Sequence, residues 1–333
     1  MLSGVDLSYV RSVQNLSLKH LGLTKDNPSV ACLIVDFNED ALGKVISFGL
    51  TSLNGRPHAE VNALKKISKK IDRRKLTAYI SLEPCFKKKS ISCSTLLYKA
   101  GIRRIVIDSL DPNPEIYNKG NLFLKEKKIQ ILISNSVSKF KDFNKYFYKY
   151  KTSSQPFITL KLAISKNGYI KDFNLPDITS KKTQQYLHYL RLRHDAIGVG
   201  YNTFIDDQPQ LTCRLDGINK YLKKLIFIKK NTKSLTQNKN FQFIDYGKNS
   251  FKQNIYDKLL KLNVKSLLVE GGLSIFMTFF RAGCYDEIVL AKSKNNVVSS
   301  SAKYKIKKNL FDGLLEHSNK SYGNDQIIVY INK

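Results

Sequence analysis

Arg56-Pro57-His58-Ala59-Glu60-Val61, answered downstream by Glu83-Pro84-Cys85 and, after seven intervening residues, by Cys93, decides the fold of this chain. One imidazole and two thiols fill three positions of a tetrahedral zinc site and leave the fourth open for water. A metal in such a site brings the pKa of that water toward neutrality and supplies hydroxide. Glu60 is not a ligand in this scheme; a carboxylate there carries the proton from the water to a leaving group. We therefore expect one zinc per chain on His58, Cys85 and Cys93, with Glu60 as the catalytic residue. Alone, His-Ala-Glu would be an accidental surface tripeptide. Pro-Cys and a second Cys in register give it weight.

The surrounding pattern is that of an α/β layered domain. Leu7 to Leu21 reads as a helix, and the apolar runs Val30–Val35 and Val45–Leu50 as paired strands. Arg56-Pro57 opens a helix with His58 and Glu60 in its first turn and an apolar stripe of Val61, Leu64 and Ile67. The strand Thr77–Leu82 leads into Pro84-Cys85, and a helix over Ser94–Ala100 follows Cys93. All three ligands are thus expected at helix N-termini, where partial positive charge favours thiolate. Further strands are expected at Ile102–Ile107 and Ile129–Ile133, then an aromatic, lysine-rich helix over Phe140–Tyr150. Lys151–Pro156 reads as a linker, which places domains at 1–150 and 151–333. The second half repeats the α/β logic: strands at Phe157–Ile164, Ala196–Val199, Lys224–Ile228, Ser266–Val269 and Glu287–Ala291, and a helix at Lys181–His194. Leu215–Asn263 carries few readable motifs.

Composition bounds the partners. The 333 residues are long for one domain, and two are expected. No apolar run approaches the roughly 20 residues that span a bilayer, and Met1–Leu7 lacks the pattern of a secretory signal. Five scattered cysteines argue against a disulfide framework and for a reducing cytoplasm. The net charge of +29 invites a nucleic-acid reading. However, 46 of the 56 basic residues are Lys and 10 are Arg, spread along the chain, which is the mix an AT-rich genome produces. Neither a nucleic acid nor a membrane is expected as a partner.

Zinc-dependent nucleobase deaminases carry the His-x-Glu…Pro-Cys…Cys signature, and two flanking features narrow the resemblance. Asn27-Pro28-Ser29-Val30-Ala31 and Asp111-Pro112-Asn113-Pro114 resemble the pyrimidine deaminase half of the bifunctional riboflavin-biosynthesis deaminase/reductase family. Lys161–Gly168, Asp195–Gly200 with Thr203, Asp206–Arg214, and Val269-Glu270-Gly271-Gly272 with Asp286-Glu287 resemble its reductase half. The likeness implies a cytidine-deaminase-like α/β/α layered domain followed by a dihydrofolate-reductase-like α/β domain. It implies deamination of a phosphorylated ribosylamino-diaminopyrimidinone, then reduction of the ribosyl chain to ribityl with NADPH. It also implies a homo-oligomer formed through the reductase domain.

The same resemblance assigns further residues. Asn27, Lys89, Asp111 and Asn113 would line the deaminase pocket. Ala163, Thr203, Asp207 and the run Gly272, Leu273, Ser274, Ile275, Phe276, Met277 and Thr278 would contact NADPH. Arg191, Leu211, Arg214 and Glu270 would hold the reductase substrate, with the arginine forks suited to its phosphate. The loop Phe86–Ser92 departs from the family, being one residue shorter and lacking its His, Gly and Pro residues. Two alternatives stay open: a tRNA or other nucleic-acid deaminase, suggested by the charge but opposed by the seven residues between Cys85 and Cys93, and a reductase whose altered loop has cost the deaminase domain its substrate. Cys32, Cys213 and Cys284, and the histidines 20, 188, 194 and 317, read as structural.

Overall fold

Short Val/Ile-rich runs and helices alternate along the whole chain. The computed structural model describes residues 2–87, 91–134, 139–172, 177–229, 240–247, 250–298, 300, 302–307 and 309–332. They form two units, Met1–Ser154 and Gln155–Lys333.

In the first unit the strands are β1 (Ala31–Asp36), β2 (Lys44–Leu50), β3 (Leu76–Ile80), β4 (Arg104–Ile107) and β5 (Gln130–Ile133). The helices are α1 (Gly4–Ser17), α2 (Ala59–Leu64), α3 (Cys93–Lys99), α4 (Lys119–Glu126), α5 (Lys139–Phe143) and α6 (Lys145–Ser153). The sheet order is β2-β1-β3-β4-β5; β1 runs antiparallel to β2 and β3, and β3, β4 and β5 are parallel. Alternate residues of β1 feed opposite cores. Cys32 and Ile34 face Ala59 and Ala63 of α2, while Ala31, Leu33 and Val35 face Val10 and Val13 of α1. A strand covered on both faces reads as the unbroken apolar run Ala-Cys-Leu-Ile-Val.

Three local expectations need correction. The N-terminal helix starts earlier, at Gly4, because Ser3 and Asp6 form a capping box, and only a 3₁₀ turn continues past Ser17. The buried face of α2 is Ala59, Glu60 and Ala63, whereas Val61 and Leu64 are only partly buried and Ile67 lies beyond the helix. Close approach explains this: a Cβ on Gly49 of β2 would fall 2.1 Å from the Ala59 carbonyl oxygen and 2.4 Å from the Ala63 nitrogen. Finally, residues 151–153, read as linker, are the last turn of α6, which stops where Ser154 turns left-handed (φ 55°).

The second unit has strands β6 (Phe157–Ile164), β7 (Tyr169–Asp172), β8 (Ala196–Gly200), β9 (Lys223–Ile228), β10 (Gln242–Asp245), β11 (Ser266–Glu270), β12 (Glu287–Lys292), β13 (Ala302–Lys305), β14 (Leu315–Tyr322) and β15 (Asp325–Ile331). Its helices are α7 (Lys181–Leu192), α8 (Tyr201–Asp207), α9 (Phe251–Lys261) and α10 (Leu273–Arg281). Eight strands form one sheet in the order β10-β9-β8-β11-β6-β12-β15-β14. The first six are parallel; β15 and β14 join antiparallel. β13 and β7 pair separately. In open parallel sheets, ligands bind beyond the carboxyl ends of the strands, and the second site lies there.

Candidate active sites

The first site forms where β3 and two helix starts meet. The Arg56–Pro57 peptide is cis, and His58, in extended backbone, caps α2. Cys93 is the first residue of α3, whose cap, Ser92, accepts a hydrogen bond from the Thr95 amide. Cys85, against expectation, is on no helix; it lies in the loop after β3, its carbonyl accepting from the Ser94 amide at 3.2 Å. His58 Nδ1 sits 3.7 Å from Cys85 Sγ and 3.4 Å from Cys93 Sγ, and the three ligand atoms all fall within 4.8 Å of one another. Tetrahedral zinc with Zn–S of about 2.3 Å and Zn–N of about 2.0–2.1 Å puts such atoms about 3.6–3.8 Å apart. The residues fit the ion.

The electrostatics agree. Hydrogen bonding with Cys93, reinforced by His58 against the effect of burial, lowers the Cys85 thiol to about 4. Interaction with Cys85, together with burial, pushes the Cys93 thiol up. Two adjacent thiolates without a cation repel, and a divalent ion relieves that repulsion. Glu60 is 4% exposed. Burial, with Cys85 adding to it, raises its pKa to about 7, the range that suits proton transfer in both directions.

Around this centre, Asp111 is buried, and burial raises its pKa to about 6 despite the Asn113 amide that its carboxylate accepts at 2.9 Å. Asn27 donates from Nδ2 to the Gly55 carbonyl at 3.0 Å, beside the cis-proline turn. Lys89 lies outside the described residues. Glu83, quoted in the sequence motif but given no role, organises this loop. Its two oxygens accept the backbone N–H groups of Asp111 (3.3 Å), Asn118 (2.9 Å), Gly120 (3.1 Å) and Asn121 (3.5 Å). No sequence spacing signals a carboxylate whose partners are all main-chain amides.

The second site is a hollow of about 340 Å³ lined by Lys161, Ala163, Thr203, Asp207, Gly272 and Ser274, among others. It shares Asn202, Thr203, Gly272 and Ser274 with a neighbouring hollow of about 290 Å³ that Ile275 and Lys229 also line. Gly272 has φ +75°, and a Cβ there would meet Thr203 Oγ1 at 2.6 Å, so the chain passes close only without a side chain. The expected cofactor loop is only partly brought to the hollow. Leu273 lines it, but Phe276 is 1% exposed in the core, Met277 packs on that core, and Thr278 Oγ1 donates to the Ser274 carbonyl. The reason is helical: from Leu273 the segment is α10, which puts Phe276 on its buried face with Ile275 and Phe279 and carries Met277 and Thr278 one turn further along the axis from Leu273 and Ser274.

Glu270, at the end of β11, accepts from Arg191 Nε at 2.8 Å and Nη2 at 2.7 Å, while Arg191 Nη1 donates to the Thr212 carbonyl at 2.8 Å. Burial opposes ionisation of Glu270, but the Arg191 fork prevails and holds it at about 2. Lys161 is directly across the ladder from Glu270; burial lowers its pKa and Glu270 counteracts the shift. Lys161 lies within the Lys161–Gly168 motif, but only strand pairing sets it beside Glu270, which spacing in the sequence does not signal. Leu211 is buried with a left-handed backbone (φ 50°), and Arg214 is exposed.

Comparison with known proteins follows the same division. Residues 5–109 match the cytidine and deoxycytidylate deaminase zinc-binding region, and residues 156–292 match the RibD C-terminal domain. The riboflavin biosynthesis protein RibD of Aquifex aeolicus is 29% identical over 317 residues, covering 87% of each chain. That of Buchnera aphidicola is 33% identical over 243 residues, covering 71% of this chain and 63% of the relative. The fold superposes on Acinetobacter baumannii RibD with a TM-score of 0.81 at 23% identity, covering 99% of both chains. It does so equally, at 24% identity, on a diaminohydroxyphosphoribosylaminopyrimidine deaminase/5-amino-6-(5-phosphoribosylamino)uracil reductase from Thermotoga maritima. With a zinc-binding deaminase region and a reductase region in this order on one chain, the protein belongs to the RibD family of bifunctional riboflavin-biosynthesis enzymes.

Proposed function

We propose that the chain catalyses two successive steps on one phosphorylated pyrimidine. The first is hydrolytic removal of the 2-amino group of 2,5-diamino-6-ribosylamino-4(3H)-pyrimidinone 5′-phosphate. The second is reduction of the ribosyl side chain to ribityl by NADPH. The observation that carries this reading is the convergence of His58 Nδ1 with the sulfurs of Cys85 and Cys93 beside a buried Glu60. His58, Cys85 and Cys93 hold zinc, which when bound supplies an acidified water. Glu60 takes a proton from water and delivers it to the departing amine. Asn27, Asp111, Asn113 and Lys89 bind the pyrimidine, with Glu83 holding the loop that carries Asp111.

In the second unit, Ala163, Thr203, Asp207 and Gly272–Ile275 take the dinucleotide where the backbone bears no Cβ. Phe276, Met277 and Thr278 support that loop from behind. Leu211, Arg214, Glu270 and Arg191 shape the substrate end. Arg191 acts chiefly by holding Glu270 and Thr212, because three of its N–H groups are already committed there. Association through the reductase unit, which has an open sheet edge at β14 among the described residues, and a cytoplasmic location complete the proposal. Light scattering on the purified chain tests the first of these.

Ammonia release and NADPH oxidation, measured on one preparation with its zinc content, test the whole. Stoichiometric zinc with both activities is expected. Zinc and NADPH turnover without ammonia would favour the second reading, a reductase whose altered loop, with Phe86 stacked 4.6 Å from Phe123, no longer accepts the pyrimidine.

A further inference from the structure

His188, read from the sequence as merely structural, has an unusual set of bonds. It lies on α7 one turn before Arg191, is 8% exposed, and faces the irregular segment Leu211–Arg214. That segment has no ladder of its own. Three bonds attach it to α7: the Thr212 carbonyl accepts from Arg191 Nη1 at 2.8 Å, Cys213 Sγ donates to the His188 carbonyl at 3.4 Å, and the Arg214 amide donates to His188 Nδ1 at 3.0 Å. Two of the three are made by His188.

An Nδ1 that accepts an amide proton must be unprotonated, so the ring is neutral with its proton on Nε2. Burial, with the positive charges of Arg191 and Arg214, pushes its pKa down to about 4 and keeps it so at neutral pH. The strap also needs restraint, since Gln208 (φ 42°) and Leu211 (φ 50°) are both left-handed without being glycine.

We propose that His188 is a positioning residue of the reductase, which fixes the Arg214 backbone through its neutral Nδ1 and so aims the Arg214 side chain at the substrate. The proposal rests on the reading of Arg214 as a substrate contact. It predicts that the relevant group is an acceptor at the δ position, not the imidazole as such. Asparagine places an oxygen there; glutamine places its amide at the ε position instead.

The experiment is reductase kinetics of the full-length chain with the deaminated phosphoribosylamino-uracil, comparing His188→Ala, His188→Asn and His188→Gln. His188→Ala keeps the carbonyl that Cys213 reaches and removes the bond to the Arg214 amide; it is expected to raise the KM for the uracil substrate roughly tenfold, the scale of one lost hydrogen bond, with kcat and the KM for NADPH near wild type. His188→Asn is expected to restore the lower KM and His188→Gln not to. Should His188→Ala fail to fold, the contrast between Asn and Gln still decides. Rescue by Gln alone would overturn the proposal in favour of direct contact through Nε2. A common loss of Tm and of both KM values in all three variants would reduce His188 to a core residue. An unchanged KM with an active wild type would sink this inference alone; an inactive wild type would remove the reductase reading with it.

Discussion

Glu270 and Glu60 are both buried carboxylates, yet they are tuned in opposite directions, and each sets its own test. Glu270 is held at about 2 by Arg191, below the ordinary carboxylate value of about 4.3. Its ionised form therefore stabilises the fold above about pH 4.3, and the contribution is lost as pH falls toward about 2. Arg191→Ala leaves that charge buried without its hydrogen-bonded partner, with only Lys161 nearby to offset it, and should cost about 3 kcal/mol at neutral pH by urea unfolding. The difference from wild type should shrink through this acid window; a gap independent of pH would mean that the pair is energetically silent. For Glu60 burial prevails, with Cys85 adding to it, and raises its pKa to about 7. Glu60→Gln should cut ammonia release by about 10²–10⁴-fold, the usual worth of a general acid–base group, while zinc content measured by mass spectrometry stays at one per chain. Substantial residual activity would move the proton-transfer role elsewhere.

Among elements, α2 and the loop after β3 decide whether the ligands meet. The helix carrying His58 and Glu60 rests on β2 through Gly49, where any Cβ would strike its backbone. Gly49→Ala should destabilise the protein by about 1–3 kcal/mol, as overpacking does, and should lower zinc content as well as Tm. Full zinc occupancy with unchanged Tm would show that α2 moves freely. The other element is the loop pinned by Glu83. Glu83→Gln replaces an oxygen that receives amide protons with an NH₂ group that donates. The KM for the diaminopyrimidine should rise while the reductase KM does not, and equal changes in both would deny Glu83 a role in this pocket. These element-level features were only partly legible. A helix opening near Pro57 and the strand before Pro84 follow from local pattern, although the helix begins only at Ala59, with His58 its extended cap; the small-residue face of α2 and the amide clamp depend on what packs opposite.

At the scale of the whole molecule, two units with separate cores carry the two chemistries. Chelation of zinc should therefore abolish ammonia release and leave NADPH oxidation with the deaminated substrate unchanged. Loss of both activities would contradict the separation. No helix among the described residues is long and apolar enough to cross a membrane. The sequence by itself determined the three candidate metal ligands, the two α/β halves and the glycine turn at Gly271-Gly272, because ligand chemistry, strand periodicity and backbone sterics are short-range and leave their mark in residue type and spacing. It did not reveal the edge strand β14, whose Leu-Glu-His-Ser-Asn-Lys-Ser-Tyr run is mostly exposed and lacks the apolar alternation of a half-buried strand. Nor did it separate the residues of α10 that face the hollow from those that fill the core, or show that Arg191, Glu270, Lys161 and His188 share one cluster. Those are decided by tertiary structure, because the helical period and the register of β6 against β11 bring together side chains far apart in sequence, and a buried charge acquires its role only from the partner placed beside it.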